Sequence, residues 1–189
     1  EARGSKLSPR KCWAPQLAVD SKGIFHLAYA DGNSRLSREI YHAEYDPDTG
    51  WKNKKMIWNS PENSAWQRID VTEEPDDKIH IAWYHENADP WTGADIVMQT
   101  KKIDAASWPN AYERITQSAN TVSIHPTVKV KDGMAHAAWM EGGSGWRLLY
   151  KSNKQGTSWS GAGLTTLSSG GYYPEMEIDD SGDVHVVWS

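Results

Sequence analysis

Short alternations of apolar and polar residues, each long enough for one strand, run the length of this chain. One such run, Gly23-Ile24-Phe25-His26-Leu27-Ala28-Tyr29, returns as Lys78-Ile79-His80-Ile81-Ala82-Trp83, as Met134-Ala135-His136-Ala137-Ala138-Trp139 and as Asp183-Val184-His185-Val186-Val187-Trp188. The histidines at 26, 80, 136 and 185 are therefore spaced by 54, 56 and 49 residues. Ahead of each lies a second recurring unit: Pro15–Asp20, Gln67–Thr72, Pro126–Lys131 and Pro174–Asp179. Turn-forming segments such as Asp20-Ser21-Lys22-Gly23, Lys131-Asp132-Gly133 and Asp180-Ser181-Gly182 separate the two units, which makes each couple a β-hairpin. A third run follows in Glu39–Tyr45, Asp95–Thr100 and Arg147–Ser152. Then come a polar turn, a tryptophan (Trp51, Trp108, Trp159) and a fourth run such as Lys55–Trp58 or Tyr112–Thr116. Four short strands repeating at roughly 50 residues match the blade of a propeller and exceed the period of most solenoids. No segment sustains a 3.6-residue apolar period, so the pattern predicts an all-β fold.

The expected architecture is a single β-propeller domain, 1–189, of four-stranded antiparallel blades. Alignment of the repeats puts the blades at 13–64, 65–122 and 123–171. Residues 1–12 occupy the place of a fourth strand, and 172–189 supply strands one and two. That makes about three and a half blades, whereas closed propellers have 4 to 8. A partial or half propeller is expected, its ring closed by residues 1–12, by further blades or by a second copy of the chain. An unpaired strand edge after Trp188 would favour such association.

The turn Ser152-Asn153-Lys154-Gln155-Gly156-Thr157-Ser158-Trp159 resembles the Asp-box of sialidase-like (BNR-repeat) β-propellers, with Lys154 in the place of the Asp and Ser158 in the place of the Thr. Tyr45–Trp51 and Ile103–Trp108 resemble shorter, more decayed versions. In that family the box is a structural turn on the face opposite the binding site. The resemblance implies the fold and an extracellular or cell-surface location; it implies no catalytic residue. The Arg-Ile-Pro motif of the enzymes is absent, and Trp66-Gln67-Arg68-Ile69-Asp70 comes nearest to it.

Composition narrows the partners. A net charge of −5, from 20 Lys and Arg against 25 Asp and Glu, argues against nucleic-acid phosphates or anionic membranes as ligands. Mean hydropathy is −0.71, and no apolar run approaches the roughly 20 residues of a membrane span. Cys12 is the only cysteine, which excludes an intrachain disulfide and a cysteine-based zinc site. Asp46-Pro47-Asp48-Thr49-Gly50 reads as an Asx turn rather than a calcium loop, and no cofactor or metal is expected. The aromatic residues are unusual: 11 Trp and 8 Tyr against one Phe. Rings with a polar handle suit surfaces that are half buried and half wet.

In a four-stranded blade the 1–2 and 3–4 turns share one face, and the 2–3 and 4–1 connections share the other. Residues that repeat in every blade serve the scaffold. This covers the four histidines, expected to hydrogen-bond between neighbouring blades or across a turn, and the in-register tryptophans Trp51, Trp83, Trp108, Trp139, Trp159 and Trp188, expected in packing between blades. Residues that break the repeat mark the functional face. Where strand one starts, nearest the axis, the aligned positions hold Ala14, Trp66, His125 and Tyr173, with Trp13 adjacent. Trp91 and Trp146 stand in loops of the same face, with the carboxylates Glu86, Asp89 and Glu141. Trp13, Trp66, His125, Tyr173, Trp91, Trp146, Glu86, Asp89 and Glu141 are the candidate ligand-binding residues. The aromatics would stack on sugar rings, and the carboxylates would bind hydroxyls. No catalytic constellation is recognisable. The leading expectation is a non-catalytic module that binds glycans or another macromolecule; the alternatives are part of a glycan-processing enzyme (glycosidase or lyase) and a propeller whose role is assembly.

Overall fold

The computed structural model describes residues 12–31, 37–72, 77–86, 93–117, 121–154 and 157–189. Thirteen strands follow one another: β1 (Cys12–Val19), β2 (Phe25–Asp31), β3 (Ser37–Asp46), β4 (Gly50–Thr72), β5 (Lys78–Glu86), β6 (Ala94–Lys102), β7 (Glu113–Arg114), β8 (Val122–Lys131), β9 (Met134–Gly142), β10 (Arg147–Lys154), β11 (Leu164–Ser168), β12 (Glu175–Ile178) and β13 (Val184–Val187). Among the described residues there is no α-helix, hence none long and apolar enough to cross a membrane; one 3₁₀ turn covers Trp159–Gly161.

Antiparallel pairing groups these strands into blades. β1, β2, β3 and the first part of β4 form the first. The last part of β4 turns away to pair with β5, and β5, β6 and the two-residue β7 complete the second. The third is β8–β9–β10–β11, and β12 and β13 form a two-stranded fourth. The arrangement is a partial β-propeller whose sheets do not close, as the repeat predicts. Apart from Cys12, the strand expected over residues 1–12 lies outside the described residues.

Blades adhere by their faces. Ile79, Ile81 and Trp83 of β5 join Ala28, Ala30, Ile40 and Ile57 of the first blade. On the opposite side of the same sheet, Ala82, Tyr84, Ile96 and Met98 pack against Val128, Val130, Ala137, Trp139 and Leu149 of the third. Period-two alternation gives a strand two faces, and a strand between two blades is apolar on both, which is why β5 reads as a nearly unbroken hydrophobic run. Trp83, Trp139 and Trp159 are fully buried here, and Trp108 packs at the edge. Two in-register tryptophans depart from the expectation: Trp51 and Trp188 are 36% and 45% exposed. Trp51 packs on Tyr45 of its own blade, centroids 5.1 Å apart, and Trp188 ends the two-stranded blade, where the described residues offer no further blade to cover it.

The recurrent histidines tie each blade together. His26 Nε2 meets Asp20 Oδ2 at 3.2 Å, and His185 Nε2 meets Asp179 Oδ2 at 2.9 Å. In both blades the same aspartate's Oδ1 accepts two backbone N–H groups of the 1–2 turn: Lys22 and Ile24, and Ser181 and Asp183. His80 instead reaches Thr100 Oγ1 (2.9 Å) and His136 the Tyr150 hydroxyl (2.7 Å), both on strand three.

Charges link the first strands across the axis. Ala18, Asp70, Lys129 and Glu177 are equivalent in the repeat. Lys129 Nζ lies 3.5 Å from Asp70 and 2.9 Å from Glu177, joining three blades, while Asp70 Oδ2 accepts the Val130 N–H at 2.7 Å. Two residues earlier in the repeat, Arg68 reaches Glu175 at 2.9 Å, from the second blade to the fourth. Burial raises the Asp70 carboxyl pKa despite Lys129, whereas Glu177 and Asp70 together raise that of Lys129. Asp70→Ala strands the Val130 N–H, leaves the Lys129 ammonium with Glu177 alone, and is expected to destabilise by about 1.5–3 kcal/mol. Glu177→Ala, at the solvent end of the same chain of charges, should cost less than about 1 kcal/mol. Urea unfolding of the two variants measures the difference.

Candidate functional site

The first strands of the first three blades begin with the same irregularity. The ladder register shifts between Trp13 and Gln16, between Ala65 and Arg68, and between Ile124 and Thr127, so that two residues oppose one on strand two. The opposed residues are Tyr29, Trp83 and Trp139, all essentially inaccessible. The first bulged residue is left-handed in every blade: Ala14 (φ 46°), Trp66 (48°), His125 (51°) and, in the fourth, Tyr173 (54°). A non-glycine residue held there costs about 1–3 kcal/mol, a strain that concentrates at functional sites. A bulge re-aims its side chain, and Trp66, His125 and Tyr173 turn toward one another.

The result is a column of rings at the axial mouth. Trp66 and His125 have centroids 4.3 Å apart, and His125 meets the Tyr173 ring edge-on at 4.6 Å. Tyr84 supports Trp66 from behind at 5.3 Å. Its hydroxyl donates to Glu86 Oε1, and burial followed by that carboxylate raises the phenol pKa. On the other side Gln67, fully buried, donates through Nε2 to the carbonyls of Trp13 (3.0 Å) and Ala14. Gln67 stands where the other three repeats have Pro15, Pro126 and Pro174. That break in a proline column is the one mark the sequence carries of its role.

Of the nine candidates, the structure brings Trp66, His125 and Tyr173 into ring contact and sets Glu86 beside them through Tyr84. Trp13 is different: its ring packs against the core between the first two blades, and its backbone rather than its indole reaches the mouth. Trp146 lies back on Gly142, so close that a β-carbon there would fall 2.9 Å from the ring. It covers a blade edge and offers one face at most. Glu141 is buried, bonded to Arg147 Nη2 at 2.7 Å, and lines a cavity of about 280 Å³ between the second and third blades with Thr116, Lys151 and Trp159. Strand alternation sends it away from the mouth, because neighbouring Met140 accepts the Tyr173 N–H there. Trp91 and Asp89 lie outside the described residues. Far from the mouth, His26, His42 and Glu44 converge within the first blade, with ligand atoms within 4.8 Å of one another.

No family model matches this chain, and no curated protein matches it. Solved structures do. An α-L-arabinanase of Penicillium chrysogenum, complexed with arabinobiose, superposes with a TM-score of 0.71 at 11% identity, over 96% of this chain and 58% of that one. An endo-arabinase of Bacteroides thetaiotaomicron gives 0.65 at 14% identity (93% and 69%), and a Cellvibrio cellulosa α-L-arabinanase complexed with arabinohexaose gives 0.58 at 15% (94% and 68%). The chain thus spans little more than half to two thirds of the length of these enzymes. At such identities the likeness concerns the fold: the chain has the β-propeller fold of these glycoside hydrolases. The likeness to sialidase-type propellers suggested by the Ser152–Trp159 turn holds at the level of the propeller and not of that family.

His125 generates a pH prediction. Burial, then the nearby Arg68 guanidinium, lowers its pKa to about 4 from 6.5. The unfolded chain takes up this proton first, so between about pH 6.5 and 4 this residue makes folding stability fall as pH falls. An NMR titration of the His125 imidazole should show a midpoint near 4, and Arg68→Gln should move it upward.

Proposed function

We propose that this chain is the larger part of a glycan-processing β-propeller and that it binds a pentose polymer, arabinan or xylan, across the axial mouth. The observation that carries this reading is the ring column Trp66–His125–Tyr173, three left-handed residues at equivalent positions of successive blades. Flat aromatic faces suit the C–H faces of sugars, and Glu86 beside them can accept a hydroxyl. The enzymes sharing the fold are by name arabinanases, arabinofuranosidases and a xylanase, and three of the matched structures hold arabino-oligosaccharides.

A second reading, the glycan-binding module without turnover, is favoured by one observation: Ala14, Trp66, His125 and Tyr173, the four axial positions, include no acid. Hydrolysis needs two carboxyls held roughly 5–9.5 Å apart across the bond. In the enzyme reading, both come from outside these four positions.

Tryptophan fluorescence titrated with arabinohexaose and xylohexaose tests both readings, alongside turnover of chromogenic arabinosides and xylosides. Saturable binding weakened about tenfold or more in Trp66→Ala, the equivalent of roughly 1.4 kcal/mol, is the expected outcome. Trp146→Ala should bind nearly as the parent does. Binding with turnover supports the enzyme, binding without it the module, and a Trp66→Ala variant that binds unchanged contradicts both.

A further inference from the structure

We infer that the first blade contains a divalent transition-metal site, suited to zinc, built from His26, His42 and Glu44. The site is independent of the axial mouth and of any glycan.

The strand register makes it. His26 of β2 pairs directly with Glu44 of β3, and Ala28 pairs with His42, so the two histidines lie diagonally on one face of the sheet with the glutamate between them. His26 Nδ1 and His42 Nε2 are 3.1 Å apart, and the rings are nearly parallel at 10°. Two nitrogens each about 2.0–2.1 Å from one tetrahedral ion would stand roughly 3.3 Å apart, so small shifts admit the ion. Imidazole and carboxylate are the ligand types that zinc takes. Both histidines are almost inaccessible, and Glu44 is 9% exposed.

What separates this cluster from the bare Asp–His pair of the fourth blade is a second imidazole and a held carboxylate on the same face, with outer partners in place. Asp20 Oδ2 lies 3.2 Å from His26 Nε2 and fixes the proton there, so that Nδ1 presents its lone pair. Asn53 Nδ2 donates to Glu44 Oε2 at 2.6 Å. Metal-bound histidines are almost always held through their second nitrogen in this way. In the metal-free protein one proton bridges His26 Nδ1 and His42 Nε2; an entering ion takes both lone pairs, and that proton moves to His42 Nδ1. The exposed Asn53 lies over Glu44 and marks the way in.

The surroundings say what the ion would do. The His42 ring stands edge-on to Trp108, which belongs to the second blade, at 5.3 Å. Lys101, also from the second blade, is committed to the carbonyls of Ile103 (3.0 Å) and Ala105 (2.8 Å). Its charge opposes a second cation, and Glu44 offsets it. A metal here would staple β2 to β3 directly beneath the joint between the first two blades.

Zinc titration of the whole chain against a chromogenic chelator, with cobalt(II) absorption as a second readout, tests the site. The expected result is one zinc per chain and visible bands of a four-coordinate cobalt centre. Glu44→Gln and His42→Gln should abolish stoichiometric binding, each variant being checked for its fold by near-ultraviolet circular dichroism. Asp20→Asn, which keeps the shape of the turn, should weaken binding by about 10–100-fold. His185→Gln alters the equivalent Asp–His pair of the fourth blade and should leave zinc binding unchanged. Absence of saturable binding and of cobalt bands in the parent protein overturns the inference. So does stoichiometric binding that survives in folded Glu44→Gln.

Discussion

The interaction on which the structure turns is the chain of charges along the axis. Each blade buries its faces against its neighbours, but apolar burial is non-directional and does not by itself say how far one blade should be rotated from the next. Asp70, Lys129 and Glu177 occupy one repeat position in three successive blades and alternate in sign, and Arg68 spans from the second blade to the fourth through Glu175. Hydrogen bonding of Asp70 to the Val130 N–H sets the height of one first strand against the next. Such directional contacts hold the first strands close enough for the rings at their starts to touch.

The mouth above that axis is built from conflict between repetition and exception. The first three blades each have the bulge opposite a buried aromatic, and the fourth keeps the left-handed residue at the same place, so the left-handed backbone belongs to the scaffold. What it carries differs from blade to blade. A strained backbone kept at four equivalent positions, with variable side chains aimed at one point, is the pattern expected when a fold delivers a site and the sequence then selects its ligand.

Much of this was legible in the chain itself. Alternation and the recurring His-x-x-Trp or His-x-x-Tyr element gave the strands because period two and fixed spacing depend only on local sequence. The axial positions emerged from alignment alone, since equivalent residues in a propeller point toward one axis. Other features depend on tertiary context. Trp51 and Trp188 read like Trp83 and Trp139, yet burial requires a neighbouring blade that the sequence pattern does not display. Trp146 in its glycine-rich loop looks free until Gly142 is seen beneath it. Gln67 signalled itself only as a missing proline, and the meeting of His42 and Glu44 with His26 depends on the register of two neighbouring strands.

The central claim is that the ligand face is the one bearing the bulged ring column, and chemical-shift mapping by NMR during addition of arabinohexaose or xylohexaose tests it most directly. The account predicts that the Trp66 indole, the His125 imidazole and the amides of Ala14 and Tyr173 move together and saturate with one affinity. Shifts confined to the opposite face, at the Asp20–Ile24, Lys131–Met134 and Asp179–Asp183 turns, would contradict it.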